Sequence, residues 1–377
     1  MKKRIVIDCF KLVKGQGKSI GIYNCVKGIL KYLAARPHDD LEYIMLGNTY
    51  NAVDFDIPGM RFIPVTKYDP TSKAHALIWE LSLVNPAVKK LNADAVLFPR
   101  GFAAASHPVK DIVLIHDLIP LYYKDHYPKA LGRVQNEYIC RRLEQSARTA
   151  SHIITVSDFS KNDIVNRFGT DPDKISVIYH GMEESPAFRC NEDSDYIIAE
   201  TSMLPHKNAR GILEAYSRYH ALCDADAGTP LPLKIVGIDD AFLNDNLKDD
   251  KARADIECYR YIESDDKLNG MVAGAKLFLF LSETEGFGFP PLEAMQAGVP
   301  VVCSNSASLP EVTGNAAVTV EPFDTEGAAA AMCSILEDKE KSKELIRLGK
   351  QNVKRFSWEK TAEQYEDVLR TVVFNGV

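Results

Sequence analysis

The segment Glu285-Gly-Phe-Gly-Phe-Pro-Pro-Leu-Glu293 places a carboxylate at each end of a turn rich in glycine and proline. It follows the apolar run Lys276 to Leu281, so the pattern predicts a strand, a turn and a helix. Glycines let a backbone approach a ligand closely, and a helix start suits a phosphate. Glu293 is predicted in the first helical turn, where it could merely complement the helix dipole. Glu285 stands near a strand end, where ligands of open α/β sheets bind.

A second candidate segment is Met203-Leu-Pro-His-Lys-Asn208, which lies between a strand-like run and the predicted helix Ala209 to Leu222. Asn208 is predicted as the N-cap of that helix. A cation such as Lys207 is unfavourable at a helix start unless an anion lies beside it. Two helix starts that favour an anion, in one half of the chain, predict a single polyphosphate ligand that contacts both.

A third candidate is the pair His116 and Asp117, which ends the strand-like run Asp111 to Ile115. A turn-capping role for Asp117 is an equally open interpretation. The loop Gly15 to Gly21 has the spacing G-x-G-x-x-x-G, a poor match to the dinucleotide fingerprint. Ser19, in a formal G-x-S-x-G match, lacks the strand that a nucleophile elbow requires. We therefore expect neither a dinucleotide site nor a serine hydrolase.

Composition narrows the class of protein. The chain has 377 residues, so two domains of ordinary size are expected. Its formal net charge of −7 argues against a general nucleic-acid binder. The eight cysteines occur singly, which favours reduced thiols and a cytoplasmic setting over a zinc or redox motif. We expect neither a signal peptide nor a membrane-spanning segment, because the apolar runs are too short.

Apolar runs of four to eight residues alternate with helical patterns in two successive series, which predicts an α/β protein with parallel sheets covered by helices. The polar segment from 183 to 195 separates the two series and is the predicted linker. The last periodic stretch, Trp358 to Val373, is predicted as a helix with no strand after it.

In this setting the E-x7-E motif formed by Glu285 and Glu293 resembles that of the retaining glycosyltransferases of family 4, which have the GT-B fold. The resemblance runs the length of the chain, through ITVSDFSKNDI, VIYHG, the HKN segment, KIVG, the E-x7-E segment and FSWEKTAEQY. It implies two facing Rossmann-like domains with parallel sheets and a C-terminal helix that crosses back to the first domain. The expected domains are residues 1–185 on the acceptor side, 195–356 for the nucleotide-sugar donor, and 357–377 for the C-terminal helix.

The resemblance also implies roles for single residues. Glu293 is expected to bind the donor ribose, and Glu285 the hydroxyls of the donor sugar near the reacting carbon. His206 stands where the family commonly has arginine, and His180 where many relatives have asparagine. The full set of expected residues comprises His116, Asp117 and Glu285 as catalytic, Lys207, His206, Gly286, Phe287, Gly288 and Phe289 on the diphosphate, Glu293 on the ribose, and Gly17 and Gly21 on the acceptor side.

The expected function is retaining, metal-independent transfer of a hexosyl group from GDP-mannose or a UDP-hexose to a saccharide or lipid-linked saccharide acceptor. No cofactor is expected, because Lys207, the turn amides and the helix dipole would neutralise the diphosphate in place of a metal. The formal D-x-D matches that begin at Asp54, Asp193 and Asp224 are interpreted as solvated chance matches. A non-catalytic nucleotide-sugar-binding protein and a nucleotide-sugar epimerase on the same fold are the alternatives.

The expected partners are thus the donor and the acceptor, without nucleic acid, in the cytoplasm. Peripheral association with the inner face of a membrane is a further option, through the lysines between Lys11 and Lys31. A solvated helix face explains the same lysines. The sequence predicts no oligomeric state.

Overall fold

The computed structural model describes residues 2–14, 20–104, 106, 108–183, 195–225 and 228–374, without the side chain of Ile20. The chain divides into two compact units, Met1–Gly181 together with Ser357–Val377, and Met182–Phe356. The second unit is therefore inserted between Gly181 and Ser357 of the first. Every helix within the described ranges is too short or too polar to cross a bilayer.

The described part of the first unit forms a seven-stranded sheet in which all the strand pairs are parallel. The central strands read AVLF, KDIVLI and HIIT and are buried almost throughout, which explains their continuous apolar runs. The strands are β1 (Lys3–Asp8), β2 (Leu41–Gly47), β3 (Arg61–Pro64), β4 (Ala95–Phe98), β5 (Lys110–Ile115), β6 (His152–Thr155) and β7 (Ile175–Val177), in the order β3-β2-β1-β4-β5-β6-β7.

Helices connect these strands, and the last helix of the chain joins them. They are α1 (Ile20–Ala34), α2 (Ala52–Phe55), α3 (Lys73–Ile78), α4 (Val84–Lys90), α5 (Ile119–His126), α6 (Arg133–Thr149), α7 (Asp158–Phe168) and, after the second unit, α16 (Trp358–Phe374). A π-helical turn (Trp79–Leu83) joins α3 to α4, and a 3-10 turn (Pro172–Lys174) precedes β7.

Helix α16 packs against α1 in the first unit, which confirms the prediction that the C-terminal helix crosses back to the first domain. Trp358 is 5% exposed and stacks on Tyr32 with ring centroids 6.2 Å apart. Glycine at position 181 leaves space for Trp358, since a Cβ there would lie 2.3 Å from the backbone nitrogen of Trp358. The Thr361 hydroxyl donates to the Tyr179 carbonyl at 2.7 Å.

The described part of the second unit contains a six-stranded sheet that is also parallel. Its order, β10-β9-β8-β11-β12-β13, places the two halves of the unit on either side of the β8–β11 junction. That junction is the topological switch point, beside which open α/β sheets bind their ligands. The strands are β8 (Ile197–Glu200), β9 (Leu233–Val236), β10 (Ile256–Tyr259), β11 (Leu277–Phe280), β12 (Val301–Ser304) and β13 (Ala317–Val320).

The helices of the second unit bury their apolar sides against this sheet, and α8 and α14 pack together in the same core cluster. They are α8 (Ala209–Ala225), α9 (Asp240–Asn246), α10 (Asp250–Ala254), α11 (Asp265–Ala273), α12 (Phe289–Ala297), α13 (Leu309–Thr313), α14 (Thr325–Glu337) and α15 (Lys339–Asn352), with 3-10 turns at Pro205–Lys207 and Val353–Arg355.

The predicted fold class is confirmed, and the predicted strands differ from the observed ones at their ends. The sequence missed β3 and β13, which are the outermost strands on one side of each sheet. Both are four residues long and largely half-exposed, so neither produces the continuous apolar run that identified the buried strands. Burial on both faces made the central strands recognisable, but edge position alone does not explain the two omissions, because the opposite edge strands β7 and β10 were predicted.

Gly237, which follows β9, supports the loop after β8 and gives a test of the fold. Its φ is +112°, and a Cβ would lie 1.9 Å from the backbone carbonyl oxygen of Thr201. We expect Gly237→Ala to lower the free energy of unfolding by roughly 2 to 4 kcal/mol, because backbone strain and a backbone clash add. Urea denaturation followed by circular dichroism measures this.

The matched control is Gly270→Ala in α11, where a Cβ would meet no atom within 4 Å and φ is not positive. There we expect no loss, or a gain of up to about 1 kcal/mol from helix propensity. Equal effects at the two positions would contradict the role assigned to Gly237.

Candidate functional site

The two predicted ligand segments of the second unit meet at the switch point of its sheet. Strands β8 and β11 are neighbours, with Ala199 opposite Leu279, so their carboxyl ends lie at the same edge. The turn after β11 is tied to the turn after β8, because the carbonyl of His206 accepts from the Glu283 N–H at 2.7 Å and from the Ser282 hydroxyl at 3.0 Å. The juxtaposition inferred from sequence thus exists in the fold.

An ion pair joins the two segments. The Lys207 ammonium lies 2.5 Å from Oε1 of Glu285, and these side chains are 25% and 12% exposed. The ammonium also lies 5.6 Å from the centre of the Phe280 ring. Lys207 belongs to the 3-10 turn Pro205–Lys207 before α8, and its carbonyl accepts from the Thr201 hydroxyl at 2.8 Å. The anion beside this lysine is therefore a carboxylate of the chain itself.

Three serines fix the backbone of the turn after β11, and sequence reasoning did not identify them. The Ser304 hydroxyl donates to the Ser282 carbonyl, and the Ser306 hydroxyl donates to the Glu283 carbonyl at 2.5 Å. The Ser308 hydroxyl donates to the carbonyls of Glu285 and Phe287, at 3.0 and 2.6 Å. The sequence signal that could have identified them is the serine at every second position from the end of β12, at 304, 306 and 308.

The glycine and proline residues shape the start of α12. Gly288 has a φ of +122°, and a Cβ there would lie 2.7 Å from a methyl group of Leu309. The Phe287 ring is buried and packs edge to face against Phe289, with centroids 5.2 Å apart. Pro290 and Pro291 carry no N–H. The backbone N–H groups left at this helix start are therefore those of the N-cap residue Gly288 and of Phe289, in the segment predicted to bind phosphate.

Glu293 lies one turn further into the helix than predicted. Because α12 begins at Phe289, Glu293 is its fifth residue, and no acidic residue occupies the first turn. Its place in the second turn makes the dipole-complementing role, which the sequence left open as an alternative, a weaker explanation, since that effect falls off within the first turn. Burial, together with the charge of Asp265, raises the pKa of Glu293 to about 7.

A third carboxylate belongs to this group, and sequence reasoning did not single it out. Glu200 is the last residue of β8. Its Oε1 atom is buried and makes no hydrogen bond with the described residues. Burial and the neighbouring charge of Glu293 raise the pKa of Glu200 to about 8, against the lowering effect of Lys207. In the sequence it looked like the ordinary polar end of a strand.

The remaining residues of the HKN segment have largely structural contacts. The Asn208 side chain accepts from the Gly211 N–H at 3.1 Å, so the predicted N-cap of α8 is confirmed. Its amide donates to the Pro322 carbonyl at 2.6 Å. The His206 side chain is buried, and the residue is 3% exposed. That burial leaves little of the His206 imidazole for a ligand, and its predicted phosphate contact stays a prediction.

In the first unit, His116 and Asp117 follow β5. Nε2 of His116 lies 3.1 Å from the Pro99 carbonyl, and its ring is 5.7 Å from that of His180. Burial lowers the pKa of His116 to about 4, so the imidazole is neutral near pH 7. Oδ1 of Asp117 accepts from the Ile119 N–H at 3.0 Å, which is the turn-capping contact that the sequence left open.

Of the glycines expected on the acceptor side, Gly17 lies outside the described residues. Gly21 is the second residue of α1, and a Cβ there would meet no atom within 4 Å. No close packing within the described chain therefore requires glycine at position 21.

A charged cavity at the carboxyl end of β1 was not predicted. It is partly open to solvent and is lined by Asp8, Lys11, Glu80 and Arg100 among others. Lys11 pairs with Glu80 at 2.8 Å, and Arg142 pairs with the same carboxylate at 3.0 Å. Burial raises the pKa of Asp8 to about 6. The cavity lies beside the β1–β4 junction, the switch point of the first sheet.

The described residues contain one trio whose side chains could hold a metal, Cys25, His116 and His180, with ligand atoms within 4.8 Å of one another. A thiolate and two imidazoles suit zinc or copper rather than the magnesium or manganese that binds diphosphates. The D-x-D match at Asp54 is not solvated as predicted: its side chain is 15% exposed and pairs with Lys27 at 2.5 Å. Asp193 lies outside the described residues.

Comparison with known proteins gives the family. The model described as Glycosyl transferases group 1 matches residues 182–352, and the model described as Glycosyltransferase Family 4 matches residues 21–185. The chain is 32% identical over 268 residues to the O-antigen chain mannosyltransferase B of Escherichia coli, covering 67% of this chain and 68% of that relative. It is 27% identical to the O-antigen chain mannosyltransferase RfbU of Salmonella typhimurium strain LT2, covering 59% of this chain and 60% of the relative.

Among solved structures, the Anabaena protein HepE in complex with UDP aligns with a TM-score of 0.69 at 16% identity, covering 98% of this chain and all (100%) of that chain. This likeness confirms the GT-B fold predicted from the sequence. Taken with the two family models, which together span most of the described residues, and with the Escherichia coli relative, it leads to one conclusion: the chain belongs to the group 1 glycosyltransferases.

Proposed function

We propose that the chain transfers a hexosyl group from a nucleotide-diphosphate sugar to a saccharide or lipid-linked saccharide acceptor, with retention of configuration and without a metal ion. GDP-mannose is the proposed donor, since the Escherichia coli and Salmonella relatives are named mannosyltransferases. A UDP-hexose is the alternative, because the Anabaena structure contains UDP. The observation that carries the proposal is the Lys207 ammonium beside Glu285 at the switch point of the second sheet.

The chemistry that this arrangement supports is departure of a diphosphate. The bond from the anomeric carbon to the phosphate oxygen breaks, so negative charge grows on the leaving group. Lys207 supplies a fixed positive charge, and the start of α12 supplies backbone N–H groups and the positive end of a helix dipole. In the proposed same-face mechanism, the acceptor oxygen bonds to the anomeric carbon and its proton passes to the leaving phosphate oxygen.

Within this scheme the carboxylates and the histidine have different tasks. Glu293 accepts hydrogen bonds from the ribose, and Glu285 holds a hydroxyl of the transferred sugar while it keeps Lys207 in place. The lowered pKa of His116 makes it a neutral hydrogen-bonding group for a sugar hydroxyl and rules out a standing positive charge near pH 7. Asp117 orients the segment after β5 through its turn-capping contact.

For the acceptor, we propose the cavity lined by Asp8 and Arg100 in the first unit. The carboxylate of Asp8 suits sugar hydroxyls, and the half-buried Arg100, which lines the same cavity, suits an acidic or phosphorylated portion of the acceptor. Binding to a membrane surface gains little support from the lysines near the N-terminus, because Lys11 and Lys27 are already paired with Glu80 and Asp54.

A non-catalytic nucleotide-sugar-binding protein and an epimerase remain the alternatives. Incubation with GDP-mannose or UDP-glucose, with and without saccharide acceptors, separates them. A transferase releases nucleoside diphosphate and elongates the acceptor, a binding protein releases none, and an epimerase converts the donor sugar without releasing nucleotide. The donor that supports release also identifies the base.

Replacement of Lys207 tests the diphosphate contact. We expect Lys207→Ala to lower kcat/KM for the donor by about tenfold to a hundredfold, because a charge-assisted hydrogen bond is worth about 1.5 to 3 kcal/mol. Steady-state kinetics measures the loss. The control is Lys343→Ala, which also removes a lysine from a Lys–Glu pair, at 2.7 Å, but on an exposed helix surface. Unchanged kinetics in Lys207→Ala would exclude the contact.

The two carboxylates of the E-x7-E motif are expected to differ in what they bind. Glu285→Ala should abolish most transfer while it leaves the affinity for nucleoside diphosphate largely intact. Glu293→Ala should instead weaken nucleotide binding, since the ribose loses its acceptor. Calorimetry with GDP and UDP, beside initial rates, distinguishes the two effects. Full activity of Glu285→Ala would remove that residue from the site.

Metal independence has its own test. We expect the purified protein to retain its transfer rate in excess chelator, because Lys207 and backbone amides neutralise the leaving group. Rates are compared before and after EDTA treatment and after addition of magnesium or manganese. Strict dependence on either ion would contradict the proposal.

A further inference from the structure

The strongest unexplained feature of the second unit is the buried Oε1 atom of the half-buried residue Glu200. The residue lies at the end of β8, beside the switch point, and its Oε1 atom makes no hydrogen bond with the described residues. A buried polar atom without a partner is costly, and such atoms are uncommon in folded proteins. A group of this kind, at the edge of the sheet where ligands bind, is explained if a ligand supplies the partner.

The charges around Glu200 limit what that ligand interaction can be. The charge of Glu293 raises the pKa of Glu200, and the charge of Lys207 lowers it. Glu285 is paired with Lys207, and the charge of Asp265 raises the pKa of Glu293. The Lys207–Glu285 pair has no net charge, while its ammonium group keeps further N–H donors for a diphosphate oxygen. If Glu200 and Glu293 were both ionised, the remaining charge beside the nucleotide would be two negative units, which opposes a diphosphate. A neutral Glu200 removes one of these units and turns a repelling group into a hydrogen-bond donor.

We propose that Glu200 keeps its proton in the folded protein and donates its O–H to a diphosphate oxygen of the bound nucleotide, between Lys207 and the ribose-binding Glu293. This inference rests on the function proposed above and adds a neutral acid to the donor site. It follows that the site prefers the nucleoside diphosphate at neutral and mildly acidic pH and loses affinity in alkali. The raised pKa of Glu200, about 8, sets the pH at which the loss begins.

The direction of the pH effect follows from proton linkage. Nucleotide binding needs the protonated form of Glu200, so ionisation of this group should raise the dissociation constant toward about tenfold per pH unit above pH 8. In the unfolded chain the group titrates near its ordinary value of 4.5. Between these values the folded state holds more protons than the unfolded state, so folding stability should fall as the pH rises from about 4.5 to about 8.

The experiment compares the whole protein with three variants by calorimetric titration of GDP and of UDP from pH 6 to pH 9.5. Glu200→Gln, which keeps shape and hydrogen-bonding capacity without the titration, should bind like the wild type at pH 6.5 and lose the steep alkaline rise. Glu200→Ala should bind about tenfold or more weakly at pH 6.5. The control Glu263→Gln, at an exposed position of the same unit, should follow the wild type throughout.

Thermal unfolding over the same pH range, without nucleotide, gives a readout independent of ligand. Relative to Glu200→Gln, the wild type should lose folding stability as the pH rises toward about 8, the pKa of Glu200 in the folded protein. An unchanged alkaline rise in Glu200→Gln, or full affinity in Glu200→Ala, would overturn the inference while it leaves the proposed function in place. Failure of the wild type to bind any nucleoside diphosphate at any pH would overturn both.

Discussion

The proposed donor site depends on the balance between the Lys207 ammonium group and the carboxylates around it. Lys207 lies at the carboxyl end of β8, and its ammonium is already paired with Glu285 at 2.5 Å. Glu200 and Glu293 add acidic groups to the same neighbourhood, and burial makes both hard to ionise. The raised pKa values of Glu200 and Glu293 lower the negative charge at this edge, which favours the anionic ligand proposed above.

The rest of the second unit holds these groups at fixed positions. The parallel register of β8 and β11 brings two turns from distant parts of the sequence to one edge. Backbone carbonyls of the second turn are held by the hydroxyls of Ser304, Ser306 and Ser308. Gly237 allows the first turn to lie against the end of β9. Because the serine hydroxyls bond to backbone carbonyls of the turn, they hold its shape without using the side chains of the turn itself.

Much of this could be read from the sequence, and the omissions have a common cause. The α/β class, the buried strands, the N-cap at Asn208 and the meeting of the EGFGFPPLE and HKN segments all follow from local patterns. The short strands β3 and β13 are partly exposed and have no continuous apolar run. The buried state of Glu200, the pairing of Asp54 and the second-turn position of Glu293 depend on tertiary packing or on where a helix starts.

The packing of Trp358 against Gly181 and Tyr32 has a consequence for the folding of the chain during synthesis. The tryptophan and the helix that it begins complete the packing around α1, Tyr179 and Gly181, yet they are encoded after the whole inserted unit. During translation the amino-terminal sheet must therefore remain without its final covering helix until the carboxyl-terminal residues emerge from the ribosome. The exposed groove along α1 would be a natural target for chaperones over that interval, and premature termination would leave it permanently uncovered.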